Sequence, residues 1–459
     1  MDSLNKLIDL LAPNCASDEN AFITADTLIK RINAFSAHYK KLDMSTAVVL
    51  YHSDSVEFFI RLMALAQTPI DIILPPNAQP QTLVKMRQLS AFFCGEHSAA
   101  SEGGFSYIDE ALDDTSSSSL AEQRNDNIYW PNDKISGRLI FFTSGSSGPA
   151  KAIYKTWTAI NRELNTLEQT FMARLATDSP RFVAMVSHQH IYGLLFKVLW
   201  PARFGHCWHG PMFHYPEHLA QYIDSQAPNN WVLIASPAQY SRLVQDNVLG
   251  GKRSNLALLF SSGGPLEDSD ATHLYQQFER AIIQVYGSTE TGGIAYRQVS
   301  TSGAVPWQPF PGVALGRHNG QLTLKSPLLD EPMRLDDKVQ LLSNGEFMLL
   351  GRADRTVKVA EKRVNLVGME ARLIAHPWVK HAAIMQLSTG RLGALVVLTR
   401  EGLEQFEQCP RKHISQTLKV HLGLEFEAVC LPRKWRYLQS LPYNSQGKLV
   451  PSELESYFD

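Results

Sequence analysis

The chain has 459 residues, 44% hydrophobic and 19% charged, with a formal net charge of −2. That length predicts more than one domain, and the near-neutral balance gives no whole-chain reason to expect nucleic acid or a membrane surface as partner. The longest apolar runs, such as residues 47–51 and 256–260, are strand-sized, well short of the ~20 residues a membrane helix requires.

The N-terminus, MDSLNKLIDLLAPNCAS, lacks a basic segment ahead of an unbroken apolar stretch. No secretory signal is expected, and the expected location is cytoplasmic. Residues 25–42 have amphipathic helical spacing, and AVVLY (47–51) reads as a buried strand. SVEFFIRLMALAQT (55–68) reads as a helix opened by Ser53 or Asp54. DIILPP (71–76) is a strand stopped by Pro75 and Pro76, and QTLVKMRQL (81–89) supplies another helix. Residues 113–127 are polar and Ser-rich and read as an exposed loop.

Strands expected at 181–187, 231–236, 255–262 and 281–287 then alternate with helices at 158–176, 214–226, 237–249 and 267–280. This alternation predicts an α/β fold with mainly parallel sheets. From about residue 303, short strands with Gly and Asn turns predict an antiparallel, β-rich subdomain. Residues 355–459 carry 15 basic and 10 acidic side chains, net +5, against −7 for the remainder. A small basic α+β tail domain on a mildly acidic body suits a lid that closes over phosphates; chance asymmetry of solvated faces gives the same numbers. The five cysteines (Cys15, Cys94, Cys207, Cys409, Cys430) never form CxxC and are expected to be reduced.

Chemistry first shows at IFFTSGSSGPAK (140–151), an apolar strand end running into Gly, Ser and Thr with a Lys behind. Such a loop brings backbone N–H groups and hydroxyls close around phosphate oxygens. Pro149 and Ala150 separate the last Gly from Lys151, so it is not a Walker A loop, and it is not GxGxxG.

TSGSSGPAK resembles the phosphate-binding loop of the adenylate-forming superfamily, which includes acyl- and aryl-CoA synthetases, peptide-synthetase adenylation domains and luciferases. Four further segments match that family in order. HQHIYGL (188–194) is similar to its FHxxG segment, and VYGSTETGG (285–293) to its YGxTE motif. LDDKVQLLSNGEFMLLGRADRTVK (335–358) is similar to its TGD…GRxDxxxK block, and LPYNSQGKLVPSEL (441–454) to its C-terminal LPxxxxGK element.

The resemblance implies ATP- and Mg²⁺-dependent activation of a carboxylic acid to an acyl-adenylate, followed by capture with a thiol. Thr143, Ser144, Gly145, Ser146, Ser147, Gly148 and Lys151 would hold the β- and γ-phosphates. Tyr286, with Gly287, would stack on adenine, Thr289 would touch the α-phosphate, and Glu290 would hold Mg²⁺. Ser262, Gly263, Gly264 and Pro265 would flank adenine and floor the acid pocket, and His190 would line or gate it. Asp337 would bind ribose with Arg352 nearby, although Asp336 is the alternative because LDD stands where the family has TGD. Lys448 would bridge the carboxylate and the α-phosphate, where charge develops during adenylation. Asp354 falls at the family's hinge between a body (1–352) and a lid (355–459).

Three departures from the family pattern stand out: Pro149-Ala150 in the loop, Glu361 where KxxGxR has Gly, and Ser452 where Arg is common. Glu361 lies in the segment that faces the thiol tunnel in the family. The variant and the short length resemble stand-alone ligases of fatty-acid and aryl-polyene pathways. The expected substrate is therefore an aromatic or medium-chain acid, and the expected acceptor the phosphopantetheine of an acyl carrier protein. Free CoA is the alternative, and a non-catalytic binding protein or a luciferase-type oxidoreductase are the rival classes. PRKWR (432–436) and Arg411-Lys412-His413 offer basic contacts either to an acidic carrier or to the phosphates of CoA.

Overall fold

The computed structural model describes residues 25–42, 47–109, 129–143, 151–172, 180–225, 230–246, 249, 256–264, 266, 268–300, 305–318, 321–352, 355–359, 362–443, 449 and 454–458. They pack as two compact units. The first comprises residues up to 143, 150–313 and 325–331; the second takes in 314–324 and 332 onward. The expected loop at 113–127, the hinge at Asp354 and the departures at Pro149-Ala150, Glu361 and Ser452 lie outside the described residues.

The first unit holds two sheets, and both are mainly parallel, as expected. One consists of β1 (Val48–Tyr51), β2 (Ile72–Leu74), β3 (Phe92–Gly95), β4 (Ser106–Tyr107), β5 (Leu139–Thr143) and β6 (Lys151–Lys155), in the order β4-β3-β1-β2-β5-β6. All neighbours are parallel except β5 and β6. The other consists of β7 (Arg181–Ala184), β8 (Cys207–Trp208), β9 (Trp231–Ala235), β10 (Leu256–Ser261), β11 (Ile282–Ser288), β12 (Gly292–Val299) and β13 (Gln308–Pro309), in the order β13-β12-β11-β10-β9-β7-β8. Strands β8 to β11 run parallel through β7, and β12 turns back antiparallel to β11.

Parallel strands need crossovers, and helices covering both sheet faces explain why β9 is apolar and buried along its whole length. The helix Ser55–Leu65 begins where capping chemistry dictates: Asp54 accepts hydrogen bonds from the N–H groups of Val56 and Glu57. In the helix Trp157–Phe171, Trp157, Ile160, Leu164, Leu167 and Phe171 recur at helical spacing and are buried. Phe171 meets Trp200, Phe260, Tyr296 and Phe310, joining the helix to the second sheet. Features beyond the expected pattern include the four-residue strand β3, strands β4, β6, β8 and β12, the helices His97–Gly103 and Trp200–Phe204, and a π-helical stretch at Leu194–Leu199.

The second unit is β-rich and then α+β; these element types are those expected for residues 303 onward, grouped here in one unit. Strands β14 (Ala314–His318), β15 (Gln321–Lys325) and β16 (Met333–Arg334) form a small sheet. Strands β17 (Asp337–Leu341) and β18 (Phe347–Arg352) form a hairpin, as do β19 (Thr356–Val359) and β20 (Lys362–Asn365). Strands β21 (Val379–Gln386), β22 (Leu392–Leu398) and β23 (Lys434–Leu438) complete it, with the helices Leu366–Ile374, Arg400–Gln408 and Arg411–Leu422. Glu370 fastens this unit internally, pairing with both terminal nitrogens of Arg355 at 2.7 and 2.8 Å and accepting from the Ile384 N–H at 2.6 Å.

Among the described residues no helix is long and apolar enough to cross a membrane. Cys94, Cys409 and Cys430 are free thiols. Cys207 is disulfide-bonded, which departs from the expectation of five reduced cysteines.

Candidate active site

The matched residues of the first unit gather where parallel strands end, the usual place for a ligand on such a sheet. His190 follows β7 as the N-cap of a short helix, Ser262, Gly263 and Gly264 follow β10, and Tyr286 and Gly287 end β11. Gly263 has φ +89°, a left-handed conformation that favours glycine. Ser262 donates to the Val285 carbonyl at 2.9 Å and so ties the glycine loop to β11. Beside His190, the Tyr192 hydroxyl donates to the Ala235 carbonyl at the end of β9 at 3.3 Å. Burial pushes the Tyr192 phenol well above its ordinary value, so it remains a neutral donor.

Strands β11 and β12 are joined by a tight hairpin whose tip carries Thr289 and Glu290. Ser288 pairs with Gly292, and Gly292 has φ +67°. The Ser288 N–H donates to the Thr291 hydroxyl at 3.0 Å, and Thr291 donates on to the Gly292 carbonyl at 2.8 Å. Gly287 has to be glycine here, since a Cβ would stand 2.3 Å from the Gly292 carbonyl oxygen. Thr289 and Glu290 are half-buried. The Tyr286 ring lies 5.6 Å from that of Trp307, and the Arg297 guanidinium sits over the Trp307 ring at 4.7 Å. Trp307 is an addition to the sequence expectation; nothing in its local pattern marks it as a neighbour of Tyr286.

Strand β6 delivers Lys151. Thr143 and Lys151 are register partners on β5 and β6, so they form the stem of the Ser/Gly loop. Ser144, Gly145, Ser146, Ser147 and Gly148 in that loop lie outside the described residues, as does Pro265. Lys151 is exposed. Lys155, four residues along β6, is buried and donates to the Glu290 carbonyl at 2.8 Å. Glu163, buried in the helix Trp157–Phe171, accepts from the Gly293 N–H at 2.7 Å. Burial lowers the Lys155 ammonium, against the charges of Glu163 and Glu290, and raises the Glu163 carboxyl. The motifs do not include either residue; the one local signal is that Glu163 interrupts the apolar side of a helix.

Among the described residues no group of three or more His, Cys, Asp or Glu is placed to cage a metal. A Mg²⁺ here would be held by one carboxylate and by phosphate oxygens, and the single half-buried carboxylate of Glu290 at the hairpin tip fits that donor set.

In the second unit, Asp337 and Arg352 are register partners on β17 and β18, whereas the exposed Asp336 precedes the strand. An isolated bridge between Tyr443 and Leu449 brackets the segment that contains Lys448, which is itself outside the described residues. Two of the basic side chains at 432–436 are engaged at home: Lys434 donates to the Phe458 carbonyl at 2.6 Å and Arg436 to the Tyr457 carbonyl at 2.7 Å. Arg411, Lys412 and His413 are exposed.

Residues 12–318 match the AMP-binding enzyme family. A 4-coumarate–CoA ligase from Halorhodospira halophila is 28% identical over 324 residues, 68% of this chain and 74% of that protein. An L-proline–[L-prolyl-carrier protein] ligase from Pseudomonas fluorescens is 25% identical over 268 residues, 51% of each chain. In structure, a benzoate CoA ligase from Burkholderia xenovorans LB400 superposes with a TM-score of 0.76 over 99% of this chain and 100% of that one, at 17% identity. The chain belongs to the AMP-binding enzyme family.

Proposed function

We propose that the protein activates a carboxylic acid with ATP to give acyl-AMP and pyrophosphate, then transfers the acyl group to a phosphopantetheine thiol. The observation that carries this reading lies within the first unit: Lys155 ties the strand bearing Lys151 to the hairpin tip bearing Thr289 and Glu290. Lys151 and the Ser/Gly loop hold the β- and γ-phosphates, Tyr286 and Gly263–Gly264 flank adenine, and Thr289 contacts the α-phosphate. Mg²⁺, when bound at Glu290, offsets phosphate charge and polarises the α-phosphate. Asp337, with Arg352 across the hairpin, binds the ribose hydroxyls. Lys448 stabilises the charge that develops between carboxylate and α-phosphate, and His190 lines the acid pocket. The tail from residue 355 rotates about Asp354 between adenylation and thiol transfer, keeping water from the adenylate.

The substrate in this reading is an aromatic or medium-chain acid. Relatives named for 4-coumarate and structural neighbours named for benzoate support the aromatic choice. The acceptor is an acyl carrier protein, supported by the carrier-protein ligase among the relatives and by the +5 tail, with Arg411, Lys412 and His413 exposed. Free CoA is the second reading, favoured by the CoA-ligase relatives. ATP–pyrophosphate exchange across a panel of acids, followed by thioester detection with CoA and with a phosphopantetheinylated carrier, tests both. Exchange without thioester on the carrier would move the assignment to CoA, and no exchange with any acid would refute the activity.

A further inference from the structure

Lys155 and Glu163 have no part in the chemistry just proposed, yet both are almost wholly buried, with 6% and 8% of their surface exposed. Burying opposite charges costs more than burying apolar side chains of the same volume, so their placement calls for an account of what they hold. Each is spent on one end of the same turn. Lys155 donates to the Glu290 carbonyl at 2.8 Å, and Glu163 accepts from the Gly293 N–H at 2.7 Å.

The two glycines after that turn leave room for the carboxylate and for two apolar neighbours. A Cβ on Gly292 would lie 2.6 Å from Leu328 Cδ1 and 2.9 Å from Glu163 Oε2, and one on Gly293 3.0 Å from Phe310 Cε2 and 3.3 Å from Glu163 Oε1. The strand geometry adds a second constraint. Side chains at i and i+4 of a strand share a face, so Lys151 and Lys155 project from the same face of β6. Anchoring the Glu290 backbone to Lys155 therefore sets the turn against the strand that carries the phosphate-loop lysine.

We infer that Lys155 and Glu163 are positioning residues that clamp the Thr289–Glu290 turn from its two ends, holding the Glu290 carboxylate in register with Lys151 for the Mg²⁺–triphosphate. The inference rests on the proposed roles of Glu290 and Lys151. It concerns the backbone of the turn, so it differs from a role in which the pair merely contributes to folding.

The test uses the full chain with ATP and titrated Mg²⁺. Calorimetric ATP binding gives the Mg²⁺ concentration at half-maximal affinity, and pyrophosphate exchange gives kcat and KM for the acid. In Lys155→Met the Mg²⁺ midpoint should rise about tenfold, as expected for losing a hydrogen bond from a charged donor. Exchange kcat should fall while KM for the acid moves less. Lys155→Arg, which keeps a buried cationic donor, should recover most of the loss. Lys155→Met on its own leaves Glu163 buried without its counter-charge. If it fails to fold, the double variant Lys155→Met/Glu163→Gln removes both charges and carries the same test. A cooperatively melting variant whose Mg²⁺ midpoint and kcat stay within twofold of the unsubstituted enzyme overturns the clamp alone. An unsubstituted enzyme with neither acid-dependent exchange nor Mg²⁺-dependent ATP binding overturns the functional reading and the clamp together.

Discussion

Asp109 accepts from the Arg61 guanidinium at 2.6 Å, with the Asp109 side chain wholly buried and Arg61 nearly so. The carboxylate accepts from two further donors, the Tyr39 hydroxyl at 2.6 Å and the Gly95 N–H at 3.0 Å. It thereby joins the helices Ala25–Tyr39 and Ser55–Leu65 to the end of β3. Removing one partner of such a pair leaves an uncompensated charge in the core. Asp109→Ala should therefore lose about 3–5 kcal/mol of stability, read as a fall in the urea midpoint at constant slope. A loss below about 1 kcal/mol, the range of an exposed pair, would show that the network is dispensable.

Glu57 supplies an acid-sensitive element next to it. Burial opposes ionisation of its carboxyl, but hydrogen bonds and charge from Arg31 and Arg61 outweigh this and hold it at about 2, below its ordinary 4.5. A carboxylate with a depressed value stabilises the fold above its unfolded value. That contribution should vanish as the pH falls from about 4.5 to about 2. Glu57→Gln should flatten this limb of a urea-midpoint profile against pH, and an unchanged slope would assign the limb to other groups.

Lys197 works in the opposite range. Buried in the π-helical stretch, it donates to the carbonyls of Gly210 at 2.7 Å and Pro211 at 3.2 Å. Burial lowers it to about 7, only partly opposed by Asp54; burial, and after it the Lys197 charge, also lowers the neighbouring imidazoles of His188 and His209. Between about 7 and the ordinary lysine value the unfolded chain holds this proton and the folded one does not, so stability should rise with pH there. Lys197→Met removes the titrating group, and its urea profile should be level over that window. The Gly210 carbonyl keeps the Ser55 hydroxyl as a partner at 2.6 Å, which favours folding of the variant.

The ribose assignment separates two adjacent carboxylates. Asp337 stands across β17–β18 from Arg352, and Asp336 is exposed ahead of the strand. Asp337→Ala should raise KM for ATP in pyrophosphate exchange by at least about tenfold, the scale of one lost charge-assisted pair. Asp336→Ala should change it little, and the reverse ranking would move the ribose contact to Asp336.

For Lys448 the expected result is a kcat effect. Lys448→Ala should depress exchange by about 10²–10³ while ATP still binds by calorimetry. Near-normal exchange would remove Lys448 from the adenylation step.

By itself, the sequence determined the order of elements and the family to which the chain belongs. Strand and helix periodicity is local, so β1, β7, β9 and β10 fall within the apolar runs that marked them, and β11 overruns its run by one residue, Ser288. The motifs are likewise contiguous residues, legible without knowing what they face. Tertiary structure alone decided which distant residues support them. Lys155 reaches Glu290 across 135 positions, Glu163 reaches Gly293 across 130, and Arg61 reaches Asp109 across 48. None of these pairs has a periodic or compositional signature, because each partner obeys the local rules of its own strand, helix or loop. What brings them together is chain topology. The β5–β6 hairpin turns Lys155 toward the β11–β12 tip, and the packing of the helix Trp157–Phe171 on the second sheet buries Glu163 against the paired glycines. Buried polar groups must then find partners wherever the fold has placed them.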